Sequence, residues 1–233
     1  MRRSIAALCG IFAAVVLAAG PASADATRTA PGILAGAVHG VGTWSYADGS
    51  ERTFTADYGR ITGLGPARIR IHRPDGVTVV VAWDRATCVR RNGLPALRRS
   101  LRLGMRAVTV AESRPDGSMR ADAVRAGMPL ARPDDVGCGL LHGAVHGDSL
   151  LTYRDGSTRP FAWDRGEVAE VTDSALSLRR ADGATVTVAY DADTVVTGGQ
   201  TMADVDDGDR VTVVSEPRAV GVPLALVVRP IAG

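Results

Sequence analysis

The chain says one thing twice. "GAVHGVGTWSYADGSERTFTADYGRI" at 36–61 returns 107 residues later as "GAVHGDSLLTYRDGSTRPFAWDRGEV" at 143–168. The copies align without a gap from Gly36–Val89 onto Gly143–Val196, with 23 identities in 54 pairs. Among them are His39/His146, Tyr46/Tyr153, Phe54/Phe161, Asp57/Asp164, Asp75/Asp182 and Asp84/Asp191. Three residues then drop out of the second copy, and alignment resumes at Gly104/Gly208 and Arg106/Arg210. A repeat this long reads as a duplicated domain rather than a solenoid unit. At about 100 residues each copy can build its own small core.

Inside a copy the signals are β. "VTVVVAWD" at 77–84 and "ATVTVAYD" at 184–191 alternate and are rich in β-branched residues, and "IRIHR" at 69–73 and "LSLRR" at 176–180 also alternate. Asp-Gly pairs at 48–49, 75–76, 116–117, 155–156 and 182–183 stand between such runs. That dipeptide predicts hairpins with type I′ turns, which need positive φ at both central residues. "LPALRRSLRLGMR" at 94–106 reads as a short helix or helical turn. The expected fold class is all-β, two tandem small antiparallel β-barrel-like domains, with five to seven short strands per copy.

The ends place the chain in the cell. Arg2 and Arg3 precede an uncharged, mostly apolar run from Ile5 to Ala19, and Ala22-Ser23-Ala24 offers the small residues a signal peptidase accepts. The run is too short for a spanning helix. The expectation is a signal peptide over 1–24, cleaved after Ala24, and a secreted, extracellular product that is not membrane-embedded. Cys9 lies inside the apolar run behind Leu8, not behind the small residue a lipid-anchoring signal wants. Residues 25–35 then form an N-terminal extension, 36–131 the first repeat, 132–142 a linker and 143–233 the second repeat. Cleavage leaves Cys88 and Cys138, and an even count in an exported protein favours a disulfide. It would close a loop of about 50 residues, worth about 4 kcal/mol in the chain-entropy model. The bland alternative makes Cys88 a small buried hydrophobe, since its repeat partner is Val195.

The segment "GEVAEVTDSALSLRRADGATVTVAYDADTVV…MADVDDGDRVTVV" at 166–214 resembles a module of unknown function found singly or repeated in exported bacterial proteins. Its pattern is G-x-V-x-x-V, D-G, T-V-x-V, D-T-x-V and G-D-x-V. The leading "VHG…DG…F…D-x-G-x-V" resembles uncharacterised secreted proteins of high-GC Gram-positive bacteria. A sequence with no lysine and one each of Asn and Gln fits GC-rich coding. The resemblance implies small OB-like barrels and carries no activity. Gly104-Met105-Arg106 departs from the form kept at Gly208-Asp209-Arg210.

No motif carries chemistry. His142 and His146 stand four apart, but Gly143 and Gly147 favour strand and turn over helix, and with His39 they specify no zinc set. His39 and His146 are expected to begin equivalent hairpins and to hydrogen-bond locally. "ADVDDGDR" at 203–210 misses the EF-hand spacing by one residue at Gly208. Ser, His and Asp occur without a G-x-S-x-G frame. Asp57/Asp164 and Asp84/Asp191 are the candidate acid–base carboxylates, with strand ends and turns as their ordinary role.

Charge divides the copies. Residues 36–142 hold 16 Arg and 10 acids, net +6; residues 143–233 hold 8 Arg and 14 acids, net −6. The contrast gathers in one loop: Arg90, Arg91, Arg98, Arg99, Arg102 and Arg106 against Asp204, Asp206, Asp207 and Asp209. The arginines form a candidate interaction patch with the aspartates as counterpart. The reading is an uncharacterised secreted protein with a non-catalytic binding or structural role at the cell envelope or outside the cell. Its partner would be an envelope polymer or protein. One alternative is a metal-binding protein or hydrolase using the repeated His and Asp. The other is an OB-like binder of single-stranded nucleic acid or anionic polymer through the arginine loop. No cofactor is expected, and a mature chain of balanced charge argues against nucleic acid.

Overall fold

The computed structural model describes residues 36–92, 94–114, 116–127 and 143–231. The signal segment, the extension 25–35 and the linker 132–142, with Cys9, Cys138 and His142, lie outside the described residues. Strands and two single 3-10 turns make up the regular structure, and no helix among these residues is long and apolar enough to cross a membrane.

The first half runs β1 (Ala37–Tyr46), β2 (Glu51–Leu64), β3 (Arg68–His72), β4 (Thr78–Ala82), β5 (Cys88–Arg91), β6 (Leu94–Pro95), the 3-10 turn Arg98–Ser100, β7 (Arg106–Ser113) and β8 (Met119–Ala126). The second runs β9 (Ala144–Tyr153), β10 (Thr158–Val171), β11 (Ala175–Arg180), β12 (Thr185–Ala189), β13 (Val195–Val196), the turn Met202–Asp204, β14 (Arg210–Glu216) and β15 (Leu224–Pro230). Every repeat-aligned strand has its counterpart.

Strand pairing closes a five-stranded barrel with extra strands. β2 pairs β3, β3 pairs β4, β4 pairs β8 in parallel, β8 pairs β7, and β7 returns to β2. The same circuit runs β10–β11–β12–β15–β14–β10, with β12–β15 its parallel step. The expectation of antiparallel pairing throughout fails at these closures, because the third and fifth strands of a ring joined in this order run the same way. Nor are all strands short: β2 and β10 have 14 residues each, one half in the barrel and one half in the β1–β2 or β9–β10 hairpin.

Alternation fills each ring. Ile61, Ile69, Ile71, Val81, Trp83 and Val124 pack inside the first, and Val168, Leu176, Leu178, Val188, Val211 and Val228 inside the second. Gly59 and Gly166 let the long strand pass close to its neighbour; a Cβ would lie 2.2 Å from the His72 carbonyl oxygen at the first and 2.6 Å from that of Arg179 at the second.

The Asp-Gly hairpins differ from the expected type. The only non-glycine residue with positive φ among those described is Asn92, so the aspartates stay in ordinary backbone space and only the following glycines turn left-handed. Gly49 N–H donates to the Tyr46 carbonyl and Tyr46 N–H to that of Ser50, which makes a type I turn closed by a glycine bulge. Each aspartate earns its place through its side chain: Asp48, Asp116 and Asp155 each accept the backbone N–H two residues on at 2.9 Å.

The halves meet edge to edge. β1 pairs β9 antiparallel, which joins both rings into one 15-stranded sheet. The register is symmetric: Trp44 faces Gly147, and their repeat equivalents Leu151 and Gly40 also face each other. Gly42 and Ser149, equivalent to one another, form the central pair. An approximate two-fold axis therefore passes through Gly42/Ser149. Even the irregularities obey it, at Ala37/His39 and Ser45/Tyr46.

Candidate functional site

The repeated histidines sit inside β1 and β9, not at hairpin starts, and reach across the hairpin rather than locally. His39 faces Asp57 in register, and His146 faces Asp164. His39 Nδ1–H donates to Asp57 Oδ1 at 2.9 Å, and His146 Nδ1–H to Asp164 Oδ1 at 2.8 Å. Both aspartates are mid-strand and buried, at 2% and 3% exposure, where strand-end or turn positions were expected. A carboxylate that deep needs a cation. It comes from the β3–β4 and β11–β12 turns: Arg73 Nη1 donates to Asp57 Oδ1 at 2.9 Å, and Arg180 Nη1 to Asp164 Oδ1 at 2.8 Å.

The same guanidiniums hold their own turns. Arg73 Nε donates to Asp75 Oδ1 at 3.0 Å and Arg180 Nε to Asp182 Oδ1 at 3.1 Å, with Nη2 bonding the second oxygen in each case. These bidentate forks hold the Asp75 and Asp182 carboxyls below the usual carboxylate range. Each barrel end is thus closed by one chain of groups, His–Asp–Arg–Asp.

The copies differ one strand step away. His146 Nε2 stands 3.2 Å from Asp148 Oδ2, whereas the position equivalent to Asp148 is Val41. The hydrogen bond to Asp164 raises the His146 pKa; burial opposes it, and the charges of Asp164 and Asp148 assist.

An imidazole anchored through Nδ1 on a buried carboxylate is oriented as a general base is. The β1–β9 register sets Ser45 opposite His146 and Thr152 opposite His39. Yet Ser45 Oγ donates to Glu51 Oε1 at 3.3 Å, and no hydroxyl bonds to either imidazole among the described residues. No group of three or more His, Cys, Asp or Glu among these residues is placed to hold a metal ion. What the geometry does is brace a barrel end.

Asp84 and Asp191 lie outside this cluster. They lie two residues past the ends of β4 and β12 and accept turn N–H groups, as expected, from Ala86 at 2.8 Å and Asp193 at 3.0 Å; Asp84 also pairs with Arg120 at 2.9 Å. Cys88 opens β5, half-buried, beside Ala123 of β8. In the basic loop Arg98 stacks on Trp83 at 5.4 Å and donates to the Pro66 carbonyl, Arg91 donates to that of Ser100, and Arg102 to that of Leu101. In the acidic loop Asp204 caps Thr201, and Asp209 accepts the Asp206 N–H. These contacts stay within each half, on opposite sides of the two-fold axis.

Arg73 and Arg180 are the members that motif reading missed. The signal was available: Arg-x-Asp-Gly is kept in both copies while the residue between changes from Pro74 to Ala181.

A family described as a domain of unknown function (DUF5666) matches residues 165–229, the barrel of the second half. No curated protein and no solved structure matches the chain.

Proposed function

We propose that the chain is an exported, non-catalytic protein of two tandem OB-like modules, acting in a binding or structural role at the cell envelope or beyond it. The observation that carries this reading is the duplicated His–Asp–Arg–Asp brace. The residues with the best credentials for chemistry are also the ones that satisfy a buried carboxylate in each half, and structural ion networks of this kind shift pKa values without doing chemistry. The ring order, with its parallel closure between third and fifth strands, supports the OB-like assignment. The DUF5666 match supports a module of that family in the second half, and the 11 of the 23 aligned identities that fall within it support the same module in the first.

The deciding experiment is a thermal-shift screen with zinc and calcium alongside an elemental assay of purified protein. The expected result is no bound metal and no large stabilisation; either would restore the metal or hydrolase reading. Export is tested separately. N-terminal sequencing of secreted material should start at Asp25, and mass spectrometry without reductant should find Cys88 joined to Cys138. Material that begins at Met1, or carries two free thiols, counts against it.

A further inference from the structure

Arg165 lies on the outer face of the second barrel in surroundings that suit a cation badly. Its guanidinium carbon is 5.7 Å from the centre of the Trp163 ring, and Trp163 packs on Trp44 with centroids 4.7 Å apart. The two rings meet over Gly147, which faces both in register; a Cβ there would lie 2.4 Å from Trp163 Nε1. Thr212 of β14 stands directly across from Arg165, and Arg229 of β15 directly across from Thr212. Arg210 lies one step along the same face of β14. Neighbouring positions on such a face are about 5–8 Å apart, so one small anion over Thr212 can be reached by the guanidiniums of both Arg165 and Arg210.

Arg165 makes no ion pair or hydrogen bond among the described residues, and its Nε is buried without a partner. Burial, and then the charges of Arg210 and Arg229, lower its pKa. Glu167 shares the face but is set opposite Arg210 and Arg179. A half-buried guanidinium beside like charges is costly unless an anion completes it. Symmetry shows that the barrel does not require it. The two-fold mates of Trp44, Trp163 and Arg165 are Leu151, Ala56 and Tyr58. One half alone carries the stack, and it borrows Trp44 from the other.

We propose that Arg165 and Arg210, walled by Trp163, form a binding site for a phosphate-class oxyanion at the junction of the two halves. Arg forks match such oxygens bidentately. The site does not depend on the chain being exported or on the arginine loop at 90–106.

The test titrates the full chain with inorganic phosphate at ionic strength held constant with chloride, following melting temperature and tryptophan fluorescence. A saturable response in the millimolar range is expected. Arg165→Gln should weaken it at least about tenfold and, in chloride alone, melt no lower than wild type, because it removes a crowded charge. Arg210→Gln should weaken it too, and Arg98→Gln should leave it intact. A sulfate arm of similar strength supports a site for tetrahedral oxyanions in general. The proposal is overturned by no saturable response up to about 20 mM phosphate, by a response that survives both Arg165→Gln and Arg210→Gln, or by an Arg165→Gln protein that melts well below wild type in chloride.

Discussion

The two halves agree inside the barrel and disagree outside it. His39, Asp57, Arg73 and Asp75 repeat as His146, Asp164, Arg180 and Asp182 with the same atoms bonded at nearly the same distances. Outward-facing positions have changed freely: Ala56 and Tyr58 stand where Trp163 and Arg165 do, Val41 where Asp148 does, and Arg102 where Asp206 does. The difference separates what the fold demands from what each half has acquired. A buried carboxylate tolerates no drift in its partners, since losing one leaves a charge out of water. An exposed charge loses about 1 kcal/mol at most when its neighbour changes.

The largest effect should come from breaking that brace. Asp57→Ala and Asp164→Ala each take the carboxylate from an imidazole and leave a guanidinium with only its turn aspartate, and each should cost about 3 kcal/mol. Denaturant melts of the two variants measure this; if one half proved indifferent, the likeness of the braces would be geometric only. A smaller effect of opposite sign is expected at Thr109, which faces Asp57 in the first ring where Val213 faces Asp164 in the second. Thr109 is fully buried and its hydroxyl has no partner among the described residues. Thr109→Val should raise stability by about 1 kcal/mol, and a loss would show that the hydroxyl has found water.

The strands, the hairpin positions and the duplication were all legible from alternation, Asp-Gly and identity. The turn type was misread because Asp-Gly also suits a type I turn with a glycine bulge, and only backbone angles separate the two. His39 and Asp57 were visible as repeated residues, but their bond depends on hairpin register, which the tight turn at Asp48-Gly49 fixes and no residue count displays. The β1–β9 junction left no trace in either copy, because pairing across the two-fold axis brings together, Gly42 and Ser149 apart, residues that do not align with each other. Trp163 and Arg165 escaped notice for a related reason: they are differences between copies, and a search for repeated residues passes over them.

Protonation sharpens the comparison further. With its pKa raised, His146 contributes stability that is fully present below about pH 6.5 and is lost as pH rises through the folded value. Melting temperature should therefore fall from pH 6 towards pH 9, and His146→Gln should flatten the fall; an unchanged slope would remove His146 from the cause. Asp75 and Asp182, with lowered pKa values, act at the other end, their contribution being lost as pH drops through the folded value. The smallest effect belongs to the opposed loops. Because each loop's hydrogen bonds among the described residues stay within its own half, their attraction would act head to tail between chains. Reversing Arg98, Arg99 and Arg102 to Glu should lower the apparent mass in small-angle scattering at low salt, an effect fading near 0.5 M as screening shortens. Identical curves for wild type and variant would leave these arginines with another partner.

Everything joining the halves depends on the β1–β9 register about Gly42/Ser149, and a paired-cysteine experiment reads that register directly. Val41 and Leu150 face each other across the junction and are exposed, at 42% and 49%. Cα atoms of opposed antiparallel residues lie about 4.5–5.5 Å apart, within disulfide range. The full chain carrying Val41→Cys and Leu150→Cys should therefore form, on mild oxidation, a link between positions 41 and 150 within one monomer, identified by peptide mass. Val41→Cys with Asp148→Cys, offset by two residues, should not. Equal linking in both proteins, or none in the first, would contradict the edge-to-edge pairing of the two copies.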